Sequence, residues 1–437
     1  MKFSDKLTIL IPMIAIAASE VMDAATFTAL GFPRSSDGGT KAVGVSDDGT
    51  IVAGSVSVIA TNSSNPFVQW TDQAVRWTLG AETSAIGLGA LPGTIGSKTF
   101  AMSADGKVLV GVSEGRAFRW SAEGGMVDLG VMPTKDYHVA WGVSGDGSVV
   151  VGSGDIGGNE MFTEPFVWTS NKGLRGLGFL PGGSRGEATA ISRDGRVIVG
   201  YSISAESWDT QAFRRGADGV MRALDVLGEY GSSIPWGVSS DGSVVVGTVW
   251  GGSQAFRWSE AGGIEVLGVL EGFAWSEASA VSADGNMVVG ASGIVENNAY
   301  QSRAFIWDSV NGMRDLQVVL KSQFQLELSG WTLEEATGIS ADGTVIVGEG
   351  INPQGISQAW LVKLPKPQPT LSIKRTGTEL EIRWSASFSN AVLQSTTTLM
   401  PNGVWQRVTN APSLINGVFL VSDSLKDTGK YFRLQSE

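Results

Sequence analysis

The chain has 437 residues, with 43 acidic against 31 basic side chains, a net charge of −12, 59 glycines and no cysteine. That charge repels nucleic-acid phosphates and anionic head groups, so no nucleic-acid partner is expected; the absence of cysteine excludes disulfides, thiol catalysis and lipoprotein anchoring. An apolar fraction of 42% supports a large core, and the glycine content points to many tight turns and an all-β fold.

Residues 1–25 read as a secretory signal peptide. Lys2 and Lys6 give a positive start, Leu7 to Ala18 an apolar stretch, and cleavage is expected between Ala17 and Thr26. No later segment approaches the roughly 20 apolar residues of a spanning helix. A secreted protein, extracellular or periplasmic, without a membrane span in the mature chain is the expectation.

Residues 26–364 repeat one unit. The phrase Ser-x-Asp-Gly, followed by a β-branched run and a Gly, occurs seven times, with its Asp at Asp48, Asp105, Asp146, Asp194, Asp241, Asp284 and Asp342. Each copy reads as a strand, an Asp-Gly turn, a buried strand such as Val149, Val150, Val151, a third strand of the form AFRW, and a fourth ending in Leu-Gly. The seventh copy stops at Trp360, Leu361 without its Leu-Gly strand, whereas residues 26–33 read TFTALGFP, close to the MVDLGVMP of residues 126–133. An N-terminal strand completing the last unit explains both ends and leaves no open edge. The spacing thus predicts a seven-bladed β-propeller closed by an N-terminal strand.

These phrases resemble the HAF-repeat family of bacterial extracellular proteins, although the triplet's first residue here is Arg116, Gln211, Gln254 or Arg303 and never His. The resemblance covers about residues 26–364 and implies a fold rather than a reaction. Residues 365–369 form a proline-rich linker. Residues 370–437 read as short alternating strands of a small fibronectin/immunoglobulin-like β-sandwich. The phrases LQSTTTL, WQRVTNAP and YFRL resemble the C-terminal fibronectin-like module of secreted verrucomicrobial proteins, which implies attachment or sorting.

The seven aspartates recur once per unit, so they read as turn residues: Asp accepts nearby amide hydrogens and Gly supplies positive φ. The third-strand tryptophans read as packing, with Arg215 in the indole's place in the fourth copy. Function should lie where copies differ, in the loops joining strands two and three and in the links between units. Those loops are read at 55–73, 153–164, 201–210 and 291–303, with the longest link at 321–335. Trp70, Tyr137, Trp208, Tyr230, Trp250, Trp275, Tyr300 and Trp331 fall there, beside carboxylates that include Glu271 and Glu277, and form the candidate ligand-binding set. The alternative is that these rings pack their own loops. His138, the sole histidine, reads as a surface or loop-packing residue and cannot build a multi-histidine zinc site, and no serine sits in a nucleophile elbow. Asp155, Asn159 and Glu160 lack EF-hand spacing. No catalytic residue, metal or cofactor is assigned.

Three readings remain: a noncatalytic scaffold binding a glycan or an extracellular protein; a glycoside hydrolase or polysaccharide lyase using loop carboxylates; and a structural cell-surface component.

Overall fold

The Ser-x-Asp-Gly phrase folds through its own side chains. In the third copy Ser144 Oγ donates to Asp146 Oδ1 (2.6 Å) and accepts the Val149 N–H (3.0 Å), while Asp146 Oδ1 accepts the Ser148 N–H (3.0 Å). Gly147 follows at φ 71°, where a side chain would be strained. The serine-to-aspartate and amide-to-aspartate bonds recur at Asp48, Asp105, Asp194, Asp241, Asp284 and Asp342. Each carboxylate thereby holds one strand-reversing turn. Asp146→Ala is expected to cost about 1 kcal/mol in urea unfolding, with Asp146→Asn, which keeps the acceptor, recovering most of it; equal losses in both variants would contradict this role.

The computed structural model describes residues 24–31, 38–59, 70–80, 82–132, 137–156, 162–204, 209–224, 231–250, 253–296, 299–366, 371–376, 379–385, 391–397, 404–415, 418–424 and 431–436. Residues Ala24–Leu364 form one compact unit. Among its described residues, seven four-stranded antiparallel sheets follow one another. They are numbered 1 to 7 here, and their first strands are Thr40–Val45, Lys98–Met102, His138–Val143, Gly183–Ile191, Ser233–Val238, Trp275–Val281 and Thr332–Ile339. Each first strand packs against the first strands of both neighbours, and sheet 7 packs against sheet 1, so the first strands form the inner edge of a closed cycle.

Closure is made by chain ends. Sheet 7 takes its fourth strand from Thr26–Leu30, antiparallel to Ser357–Lys363 with Thr26 opposite Lys363 and Leu30 opposite Ala359. Leu30 is fully buried with Val345, Val347 and Leu361 of sheet 7 and Trp77 of sheet 1. Trp77 Nε1 donates to the Gly31 carbonyl (2.7 Å), and Thr40 Oγ1 accepts the Ala359 N–H (2.9 Å) while donating to the Leu30 carbonyl (2.8 Å). The N-terminal strand is thus tied to sheet 1 as well as to its own sheet.

At the Asp-Gly end, the residue between Ser and Asp is where neighbouring turns meet. Asp47 N–H donates to the Ala104 carbonyl, Ala104 to Gly145, Gly145 to Arg193, Ser240 to Ala283 and Ala283 to Ala341. Small residues suit this crowding at five of the seven positions. The other two, Asp47 of sheet 1 and Arg193 of sheet 4, form a salt bridge. It joins turns from opposite sides of the cycle, and burial of Arg193 holds its guanidinium pKa below the usual value.

The core is divided among the sheet-to-sheet interfaces. At five of the seven third strands an indole packs against the preceding sheet, among them Trp120 against Ala53 and Ala74, Trp258 against Val197 and Val199, and Trp307 against Val244 and Val246; in sheet 7 Val362 takes that position. The cluster between sheets 3 and 4, built on Val151, Ile198 and Phe213, has no tryptophan, because Arg215 stands there.

Three loop assignments are corrected. Loop 291–303 is a ladder instead, since strands Met287–Glu296 and Ala299–Asp308 stay paired out to Glu296 opposite Ala299; the apolar and aromatic residues Ile294, Val295 and Tyr300 sustain the pairing. The link at 321–335 opens inside a helix, Leu316–Phe324, and closes inside strand Thr332–Ile339. Asp315 caps that helix by accepting the Val318 N–H (3.0 Å), and Leu316, Val319 and Leu320 bury the i, i+3, i+4 face. His138, read as a surface or loop-packing residue, is buried at the start of its strand, where Nε2 accepts the Met132 N–H (3.1 Å).

Residues Pro365–Glu437 belong to a second unit. Its described strands form a four-stranded sheet and a three-stranded sheet, with Glu379–Ser385 paired to Val418–Ser424 in the first and Ala391–Thr396 to Tyr431–Ser436 in the second. Leu380, Ile382, Trp384 and Val421 of one sheet share a core with Leu393 of the other.

Candidate functional site

The inner strands alternate. Ala42, Ala140, Ala188, Ala278 and Ala336 are fully buried, so the residues just before them take the other direction. That register position, five residues ahead of each turn serine, holds Lys41, Lys98, Val139, Glu187, Ile234, Glu277 and Glu335. Five of the seven are charged, on strands whose alternate residues are core. The second strand adds partners from directly opposite: Glu335 faces Glu349, and Glu187 faces Tyr201.

Around sheets 6, 7 and 1 these groups converge. Lys41 Nζ lies 2.8 Å from Glu349 Oε1 and 3.6 Å from Glu335 Oε2, and Ser279 Oγ is 3.5 Å from Glu335 Oε1. Burial pulls the Lys41 pKa down, but the Glu335 and Glu349 carboxylates outweigh it and hold the ammonium above its ordinary range. Burial, together with the Glu335 charge, pushes the Glu277 carboxyl up to about 7 despite Lys41. Glu335 is raised by burial and by Glu349, and Glu334 by burial and Glu349, with Arg303 opposing. Four carboxyl groups therefore share one lysine and one arginine. A smaller version sits on sheet 4, where Glu187 is raised by burial while accepting hydrogen bonds from Tyr201 and Ser153.

Two aromatic rings border the larger cluster. Trp275 and Tyr300 stack with centroids 5.3 Å apart and planes at 27°. The stack depends on Gly293, opposite Trp275: a Cβ there would come 2.2 Å from the indole Cζ2. Tyr300 is 66% exposed, and its hydroxyl pKa is raised by partial burial and by Glu335, Glu277 and Glu334. One open ring face thus lies beside a set of hydrogen-bond acceptors.

The structure brings Trp275, Tyr300 and Glu277 together, on strands rather than loops. Trp250 is 59% exposed just past strand Val244–Val249. Tyr137 lies over Gly115, where a Cβ would come 2.8 Å from its ring. Trp331 packs edge-on against Phe27 at 5.0 Å and joins the core between sheets 6 and 7. Trp70 begins strand Trp70–Thr78 opposite Ile59, its side chain outside the described residues, as are Trp208 and Tyr230. Lys41, Glu335 and Glu349 were not singled out by sequence. The signal for Lys41 and Glu335 is a charged residue recurring immediately before the buried alanine of a first strand, and Glu349 follows only from the pairing opposite Glu335.

No protein-family model and no curated protein matches the chain. Solved structures similar to it include a putative TolB from Agrobacterium tumefaciens, 19% identical over 64% of this chain and 94% of that one, with TM-score 0.41. An oligogalacturonate lyase in complex with manganese is 15% identical over 79% and 98%, with TM-score 0.49. The Dos1 propeller is 12% identical over 79% and 96%, with TM-score 0.47. Among the described residues no group of three or more His, Asp or Glu side chains is arranged to hold a metal ion, and no helix is long and apolar enough to cross a membrane.

Proposed function

We propose that residues 26–364 form a seven-bladed β-propeller of the HAF-repeat type, secreted after removal of the leader and followed by a fibronectin-like β-sandwich. Its function is noncatalytic binding, and its ligand is a carbohydrate held at the Trp275–Tyr300 stack. The supporting observation is the exposed face of Tyr300 beside Glu277, Glu334 and Glu335. An aromatic face takes the apolar side of a sugar ring, and carboxylates accept its hydroxyl hydrogens. With four carboxyls against Lys41 and Arg303, the site favours neutral or amino sugars over acidic ones.

A glycan array with the whole chain tests this. Trp275→Ala and Tyr300→Ala are each expected to weaken binding of the selected glycan roughly tenfold, the effect of about 1.4 kcal/mol of stacking. Unchanged affinity in both variants would remove these rings from the site.

A second reading rests on Glu277. A carboxyl that titrates near 7 suits a general acid, and Glu335 is a second carboxyl group beside it. Release of new reducing ends from the bound glycan, lost in Glu277→Gln, would replace the binding function by a glycosidase.

A further inference from the structure

We propose that the interface between sheets 3 and 4 holds a second ligand site, on the Asp-Gly turn end, for a tetrahedral oxyanion such as phosphate or sulfate, free or as a sugar ester. The observation is a substitution within the repeat. Wherever the third strand carries its tryptophan, the indole fills the gap to the preceding sheet; in sheet 4 that residue is Arg215. A cavity of about 430 Å³ takes the indole's place, floored by Val167 and Ile198 and lined by Lys172, Arg175, Arg196 and Arg215.

All four charged residues lining the cavity are cationic, in a chain whose net charge is −12. Among the described residues no carboxylate lies within ion-pair distance of Lys172, Arg175 or Arg215. Arg196 reaches Asp194 only at 4.0 Å, and the nearby Asp218 is engaged by Arg222 at 2.7 Å. Uncompensated guanidinium groups around a concave space are a fitting donor set for an oxyanion, which they engage through paired N–H donors. The cavity is large enough for a phosphorylated or sulfated monosaccharide as well as for the bare ion.

This site is separate from the Trp275–Tyr300 stack and does not depend on it. The test is thermal unfolding and calorimetry of the whole chain at constant ionic strength, titrating inorganic phosphate, inorganic sulfate, glucose 6-phosphate and glucose 6-sulfate, with sodium chloride and glucose as controls. A saturable rise in Tm of about 2 °C or more with the oxyanions, and none with the controls, is expected. Tighter binding of the esters would assign a sugar ester; equal binding would assign the free ion. Arg215→Trp restores the repeat residue and fills the cavity, so it should fold with an equal or higher Tm and lose the response. Arg175→Gln should weaken binding about tenfold, the loss of one charge-assisted contact. A response retained in Arg215→Trp, or matched by chloride, would overturn the proposal.

Discussion

Deleting residues 26–33 is expected to leave a protein that aggregates or melts far below the intact chain. The deletion removes the backbone ladder between Thr26–Leu30 and Ser357–Lys363, exposes Ser357–Lys363 as an unpaired edge, and takes away the carbonyl that receives Trp77 Nε1. Leu30→Ala isolates the packing part. A fully buried leucine in a cluster spanning two sheets should cost about 3 kcal/mol, with the ladder left in place. Light scattering and near-ultraviolet circular dichroism melts report both effects. A deleted chain that stays monomeric with an unchanged Tm would show that the cycle holds without its terminal strand.

Glu277→Gln is expected to stabilise the protein at pH 8 by about 2–3 kcal/mol and to change little at pH 4. In the folded chain this carboxyl titrates at about 7, above its ordinary value of 4.5, because burial and Glu335 disfavour the charge. Between those pH values the native state holds a proton that the unfolded chain has released. Stability is therefore complete below about 4.5, declines as pH rises to about 7, and is level beyond. The variant has no such proton to lose, so its profile should be flatter across that window, with a residual slope from Glu335. Urea unfolding at several pH values measures it, and parallel profiles for the two proteins would place the titration elsewhere. The same residue lies in the proposed glycan site, so a stabilised variant with weaker binding would mean that the carboxylate is kept at a cost in folding energy.

The features written within one repeat were legible from sequence. Ser144, Asp146 and Gly147 specify their turn by contacts no more than five residues apart, and the complementary phrases at the two ends predicted the Thr26–Leu30 pairing that the structure has. Features set between repeats were not. The Lys41 bridge to Glu349 spans 308 residues, and only the packing of sheet 1 on sheet 7 brings them together. Length variation between repeats suggests irregular backbone at 291–303, whereas Ile294, Val295 and Tyr300 favour strand and carry the ladder of sheet 6 outward. Helix Leu316–Phe324 was hidden for a related reason: a nine-residue apolar period inside an otherwise all-β repeat is easily absorbed into a link. Of the candidate aromatics, Trp275 and Tyr300 meet because Gly293 leaves room for the indole, a condition that no count of tryptophans reveals.

The Asp47–Arg193 pair has a consequence for how the array is numbered. Because the pair joins the first turn to the fourth across the cycle, it is satisfied only when two intervening repeats separate its members and the rest of the ring returns at the right curvature. Gain or loss of one unit by recombination among these similar segments would separate the charges and leave Arg193 buried without its counter-ion. The two residues thus act as a tally of ring size, one that identical turns could not keep.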